Sequence, residues 1–203
     1  FFTDKARDFL QEKGIVMIKD SSANKTGVIC SSYEIISSLV LEKEDFLEIK
    51  ETYIKEVIEI LRKRAQQEAE LLLNTKKLKQ EKSLTNLSKD LSFIINSITD
   101  MLLENLLKEK DRYLKDDFCK KLVLKHCPPI LQERYAKETL ANLPDVYKIA
   151  IISSYCASYL VYTEGMDWIF YFSKDQRQFH EFLNLLNCIE KILYLSLFQD
   201  INK

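Results

Sequence analysis

Three glycines and three prolines in 203 residues leave this chain few places to turn sharply. Together they make up about 3% of it, against roughly 12% in an average protein. Sandwiches and barrels need both residues at many turns, so a mostly α fold is expected. A composition 46% hydrophobic and 30% charged supplies both a core and a solvated surface, which excludes wholesale disorder. Thirty Lys and Arg stand against 31 Asp and Glu, a net charge of -1. That balance argues against a globally basic nucleic-acid binder.

Cys30, Cys119, Cys127, Cys156 and Cys188 are odd in number and contain no C-x-x-C spacing. With only His126 and His180 beside them, no zinc site of standard spacing can be written, and no metal is expected. The five read as reduced thiols in a cytoplasmic protein. No apolar run reaches the roughly 18 residues of a membrane span, so no membrane partner is expected. No signal-peptide pattern opens the chain. It starts at Phe1-Phe2, in mid-pattern, and reads as a fragment of something longer.

Residues 1–45 differ from the rest. Thr3 can cap a helix running to Lys13, with Asp4 in its first turn and Gly14 as its left-handed stop. The unbroken apolar run Ile15-Val16-Met17-Ile18 predicts a strand buried on both faces, as in a parallel sheet. A polar loop from Asp20 to Gly27 follows. Ser31-Ser32-Tyr33-Glu34 is a capping-box pattern that predicts a helix start at Ser31. This grammar is a helix-strand-helix remnant of a doubly wound α/β domain, whose sheet partners must lie upstream.

Beyond residue 41 the spacing is helical nearly throughout. Phe46, Ile49, Tyr53, Val57, Leu61, Ala65, Ala69 and Leu72 predict one helix over about 44–73, roughly 45 Å long and able to bridge domains. Lys76, Lys77 and Lys79 read as a solvated turn. Helices are predicted over 83–108 and 113–125, with a break at His126-Cys127-Pro128-Pro129. Further helices open near Pro129 and at Pro144, the latter running to about Tyr162 with Gly165 as its stop. The aromatic run at 168–172 has no settled conformation, and Ser173-Lys174-Asp175-Gln176 opens a last helix to about residue 198. Residues 1–45 are thus expected to end a doubly wound, Rossmann-like α/β domain, which the resemblance given below makes a dinucleotide-binding one, and 46–203 to form a helical C-terminal domain.

The loop from Asp20 to Ser32 is where chemistry is best supported, because open α/β sheets bind ligands beyond the carboxyl ends of their strands. Gly27 permits close backbone approach, and a helix headed by Ser31 would favour an anion. The plain alternative is that Ser31 only caps and Asn24 only turns.

The segment Phe2-Thr3, Ala6, Gly14-Ile15-Val16, Asp20-Ser21-Ser22-Ala23-Asn24-Lys25-Thr26-Gly27-Val28 and Ser31-Ser32-Tyr33-Glu34 resembles the glutamate dehydrogenase family, most closely its large NAD-specific bacterial type. In that family an aspartate is followed by Ala-Asn-x-Gly-Gly-Val and by a serine seven residues after the asparagine. Ala141-Asn142-Leu143-Pro144-Asp145-Val146-Tyr147 and Ala157-Ser158-Tyr159-Leu160-Val161-Tyr162 resemble the helical C-terminal region of the large type. The resemblance implies reversible oxidative deamination of L-glutamate to 2-oxoglutarate and ammonia, with NAD as cofactor. It implies that Asn24 and Gly27 contact the cofactor, and that Asn24 and Ser31 contact the substrate. Thr26 stands where the family has the first glycine of its pair. Lys25 reads as a solvated loop lysine, with a substrate contact as the alternative.

The family's catalytic lysine and aspartate, and its Gly-rich phosphate turn, lie upstream of the matching region. No catalytic residue is therefore expected here, and the fragment alone should be inactive. Tyr155, Tyr159 and Tyr162 share a helical stripe and read as core packing. His126 and Cys127 are adjacent and so not expected to form a thiolate pair, and His180 reads as a surface or packing residue. Apolar surface on the helices after residue 74 implies a homo-oligomer. The rival reading is a non-catalytic helical interaction or oligomerisation module.

Overall fold

In a computed structural model that describes residues 2–166, Thr3 accepts a hydrogen bond from the Ala6 amide at 3.3 Å and caps α1, Asp4–Glu12. The helix ends in a Schellman arrangement: the Gly14 amide donates to the Gln11 carbonyl and the Ile15 amide to the Leu10 carbonyl, with Gly14 at φ +83°. Both ends thus follow the sequence signals.

The strand expected at 15–18 does not form. Among the described residues there is no strand, and Ile15, Val16 and Ile18 are 49%, 79% and 46% exposed. A buried strand needs neighbours to take its amides and carbonyls, and none of the described residues supplies one. The segment leads instead into a single helical turn, α2, Asp20–Ala23. Arg7, nearly buried, holds it by donating to Asp20 at 2.8 Å while also donating to Asp4 at 3.1 Å.

α3 spans Lys25–Val40, so it starts six residues earlier than the capping box predicted. Gly27 sits inside it with the ordinary negative φ of a helix, and nothing interrupts the backbone between Asn24 and Ser31. α4, Lys43–Leu78, extends the predicted long helix by five residues at its C-terminal end. Lys76 and Lys77 occupy its last turn, where cations oppose the helix dipole, and Lys76 Nζ donates to the carbonyls of Gln80 (2.6 Å) and Lys82 (2.8 Å). Ser83 then caps α5, Leu84–Lys108, accepting from the Asn86 amide at 3.2 Å.

The helix predicted at 113–125 is two. Asp116 accepts from the Cys119 amide at 2.9 Å, ending α6 (Lys110–Lys115) and capping α7 (Asp117–His126). The prolines open α8, Pro129–Arg134, and precede α10, Asp145–Glu164, with α9, Ala136–Asn142, between them. Gly165, at φ +83°, follows α10 as expected.

Residues 1–163 form one compact unit and 164–203 a second. The aromatic run at 168–172, the helix expected over 173–198, His180 and Cys188 lie outside the described residues. In the first unit α3 packs along α4, and α4 against α5 and α8. Tyr33, Ile36 and Val40 of α3 and Ile49, Tyr53 and Val57 of α4 are buried, as are Leu87, Leu91, Ile94 and Ile98 of α5. Each set recurs at three- and four-residue intervals, so one face of each helix enters the core.

Polar side chains tie the helices across long sequence separations. Glu56 of α4 accepts from the Ile130 amide at the start of α8, 2.8 Å away, filling one of the orphan donors there. Asn142 donates to the Val40 carbonyl at 3.1 Å, satisfying the C-terminal end of α3.

Candidate functional site

The face of α3 that the core leaves uncovered carries the sequence-predicted residues. Asn24, Gly27, Val28 and Ser31 recur at i, i+3, i+4 and i+7, one helical stripe, and all four are exposed. Val28 is 78% exposed, and Ile35, two turns further, is 43% exposed. Tyr33, Ile36 and Val40 take the opposite side into the core. The stripe is therefore fixed in orientation by the packing behind it.

Asn24 stands between α2 and α3 and makes no side-chain capping bond to either, so its amide is free to donate and accept. At Gly27 nothing lies within 4 Å of where a Cβ would sit, so the open face could admit a ligand close to backbone. Ser31 corrects the expectation of a helix-start hydroxyl. It lies well inside α3 and its Oγ donates to the Gly27 carbonyl at 3.4 Å. The amides that would favour an anion belong to residues nearer Lys25.

Lys25 is not the solvated loop residue expected. As the first residue of α3 it reaches across to α4 and α10, with its ammonium bonded to the Glu68 carboxylate and donating to the Tyr162 hydroxyl at 2.8 Å. Tyr162 in turn donates to Glu68 Oε2 at 2.9 Å, closing a three-membered network. Glu68 is buried, and the charge beside the Tyr162 hydroxyl adds to burial in pushing that phenol well above its ordinary range. The sequence signal that pointed here was weak: Glu68 stands beside Ala69 of the apolar stripe of α4, three residues after Ala65 and four before Leu72.

Along α3 runs a groove of about 530 Å³, lined by α3, α4, α5, α7 and α10, with Val28 and Ile35 of the uncovered face at its edge. Lys25, Arg64, His126 and Tyr155 reach it. Arg64 stands 6.0 Å over the Tyr155 ring. His126 stacks on Tyr33 at 5.6 Å and its Nδ1 is buried without a hydrogen-bond partner. Burial lowers the His126 pKa to about 4, with the nearby Arg64 charge acting in the same direction. Burial also pushes the Cys127 thiol up to about 12, and its Sγ donates to the Val123 carbonyl at 3.4 Å. A neutral imidazole beside a buried thiol is no nucleophilic pair, as the sequence reading anticipated.

The tyrosine stripe divides in two. Tyr155 and Tyr159 stack at 6.4 Å, the packing role expected, whereas the hydroxyl of Tyr162 is committed to Lys25 and Glu68. Cys30 and Cys127 are free thiols, and no group of three His, Cys, Asp or Glu side chains among the described residues could hold a metal ion. No helix among those residues is long and apolar enough to cross a membrane.

Comparison with known proteins bears out the resemblance. Residues 1–88 match the family model described as Glutamate/Leucine/Phenylalanine/Valine dehydrogenase. The chain is 31% identical over 185 residues to the NAD-specific glutamate dehydrogenase of Saccharomyces cerevisiae, covering 82% of this chain and 16% of the relative. It is 33% identical over 180 residues to glutamate dehydrogenase 2 of Dictyostelium discoideum, covering 82% and 17%. With the NAD-specific glutamate dehydrogenase of Neurospora crassa it shares 29% over 199 residues, covering 91% and 18%. The chain thus spans less than a fifth of the length of these curated relatives. No solved structure matches it.

Proposed function

We propose that this chain, similar over most of its length to NAD-specific glutamate dehydrogenases, serves as the C-terminal part of such an enzyme. The reaction is oxidative deamination of L-glutamate to 2-oxoglutarate and ammonia. Residues 1–45 close the dinucleotide-binding domain, and 46–203 form a helical domain reached by α4. The observation that carries the reading is the open stripe of α3. The residues matching the family motif are exposed together, on a helix whose other face is locked into the core.

On this reading the stripe is one wall of the active site. The Ser31 hydroxyl turns from the Gly27 carbonyl to donate to the side-chain carboxylate of glutamate, a charge-assisted bond stronger than the 3.4 Å contact it leaves. Asn24 offers its unengaged amide to substrate and nicotinamide. Gly27 leaves room for both, since a side chain would project from that face. NAD, when bound, supplies the acceptor for the hydride leaving the glutamate Cα. Proton transfer belongs to a lysine and an aspartate of the upstream substrate domain, so the isolated chain is inactive.

Exposed apolar side chains on α5, Phe93 at 69% and Leu107 at 43%, support a homo-oligomer built partly through these helices. The free thiols of Cys30 and Cys127 support a cytoplasmic setting. The test is NADH formation from glutamate and NAD by the full-length polypeptide. Its absence in a folded protein would leave the interaction-module reading in place.

A further inference from the structure

We propose that Lys25 is a positioning residue, whose bonds to Glu68 and Tyr162 set the place of Asn24 and Ser31 in the active site. The inference rests on the glutamate dehydrogenase reading and adds a role for the helices that follow the dinucleotide-binding segment.

Lys25 directly follows Asn24 and opens α3. Its backbone belongs to the exposed motif, while its side chain turns into the groove along α3. There the ammonium meets a carboxylate from α4 and a hydroxyl from α10, residues 43 and 137 positions away. The Glu68 side chain is only 6% exposed and that of Lys25 35%. Lys25 Nζ also lies 5.5 Å from the Tyr162 ring centroid. A carboxylate so enclosed strongly favours keeping its cation, because separation leaves an uncompensated buried charge.

The turn before α3 is tied down through Arg7–Asp20 and Ser22–Ser88, whereas Lys25 carries the long-range side-chain bonds of the first turn of α3 itself. Asn24 makes no side-chain cap, and the preceding helix is a single turn. The network therefore anchors the first turn of α3 to the two long helices. A shift of about 1 Å in a substrate-holding group can cost about a hundredfold in rate. The anchor lies beside the stripe, since Val28 lines the same groove as Lys25 and Tyr162, and its bonds go to Glu68 and Tyr162, so it acts on Asn24 and Ser31 through the backbone.

The experiment compares Lys25→Met, Glu68→Gln and the double variant in the full-length polypeptide. Lys25→Met alone strands a buried carboxylate, so it should lower both stability and kcat/KM. The double variant removes that charge. If the pair only balanced charge, the double variant would regain both melting temperature and kcat/KM. Positioning predicts recovery of the melting temperature with kcat/KM still reduced about tenfold or more, mainly through KM for glutamate. It also predicts that amide exchange in the first turn of α3 stays at least about tenfold faster than wild type, with α5 unchanged. Tyr162→Phe should show the same exchange signature more weakly. Wild-type exchange rates in the double variant would overturn the proposal whether or not the polypeptide oxidises glutamate. An inactive wild type with the exchange signature present would sink the enzymatic reading and keep the anchor.

Discussion

The hydroxyl of Tyr53 donates to the backbone carbonyl of Tyr33 across 2.7 Å, joining α4 to the middle of α3 inside the core. Burial holds the Tyr53 phenol well above its ordinary pKa, so it stays a donor at any physiological pH. The carbonyl is already used within the helix, so the bond adds an anchor rather than filling a gap. Tyr33 itself stacks on His126 and donates to its carbonyl at 3.3 Å. Through these two tyrosines the side of α3 opposite the Asn24–Ser31 stripe is pinned.

Tyr53→Phe removes that hydroxyl without changing the ring. The expected loss is about 1–2 kcal/mol of stability, read as a lower denaturant midpoint at unchanged slope. A midpoint equal to wild type would show that the bond contributes nothing net.

Ser31→Ala separates function from folding. Ser31 is exposed and its one bond is long, so stability should move by no more than about 0.5 kcal/mol. In the full-length polypeptide the catalytic efficiency with glutamate should fall roughly ten- to a hundredfold, or about 1.5–3 kcal/mol. Unchanged steady-state kinetics would remove Ser31 from the site.

His126 should make stability depend on pH. Its pKa is lowered from 6.5 to about 4, so the unfolded chain binds the proton first as pH falls. The stabilisation is complete above pH 6.5 and is lost progressively down to pH 4, by about 3 kcal/mol at the lower end. Carboxylates titrate in the same range, so the measurement is the difference between wild type and His126→Phe. That difference should change across this window and be flat above it; a pH-independent difference would refute the assignment.

Val28→Asp tests what the open face of α3 meets. With Val28 78% exposed, the melting temperature of the 203-residue chain should hardly change. In the full-length polypeptide the carboxylate would sit beside the proposed substrate wall, and glutamate oxidation should fall at least about tenfold. Wild-type activity would mean that this face stays in solvent.

The helices that could be read from sequence are those with local signals. Thr3 and Gly14 bound α1, Ser83 opens α5, and Pro144 precedes α10, because each residue's own side chain or φ preference supplies the boundary. The split at Asp116 was missed although its signal was present, since an acid inside an apolar repeat also reads as surface. The start of α3 was missed because two polar patterns, around Asn24 and at Ser31, compete, and both are compatible with a cap.

Composition, periodicity and capping residues by themselves determined that this chain is helical, and the motif around Asn24 determined its resemblance. Those properties depend on residues a few positions apart. Whether Ile15, Val16 and Ile18 are buried, which face of α3 lies open, and that Lys25 joins Glu68 and Tyr162 were decided only in three dimensions. An apolar run is buried only if neighbours cover it, and a charge is paired only if the fold brings a partner to it. Neither condition is written in the local sequence.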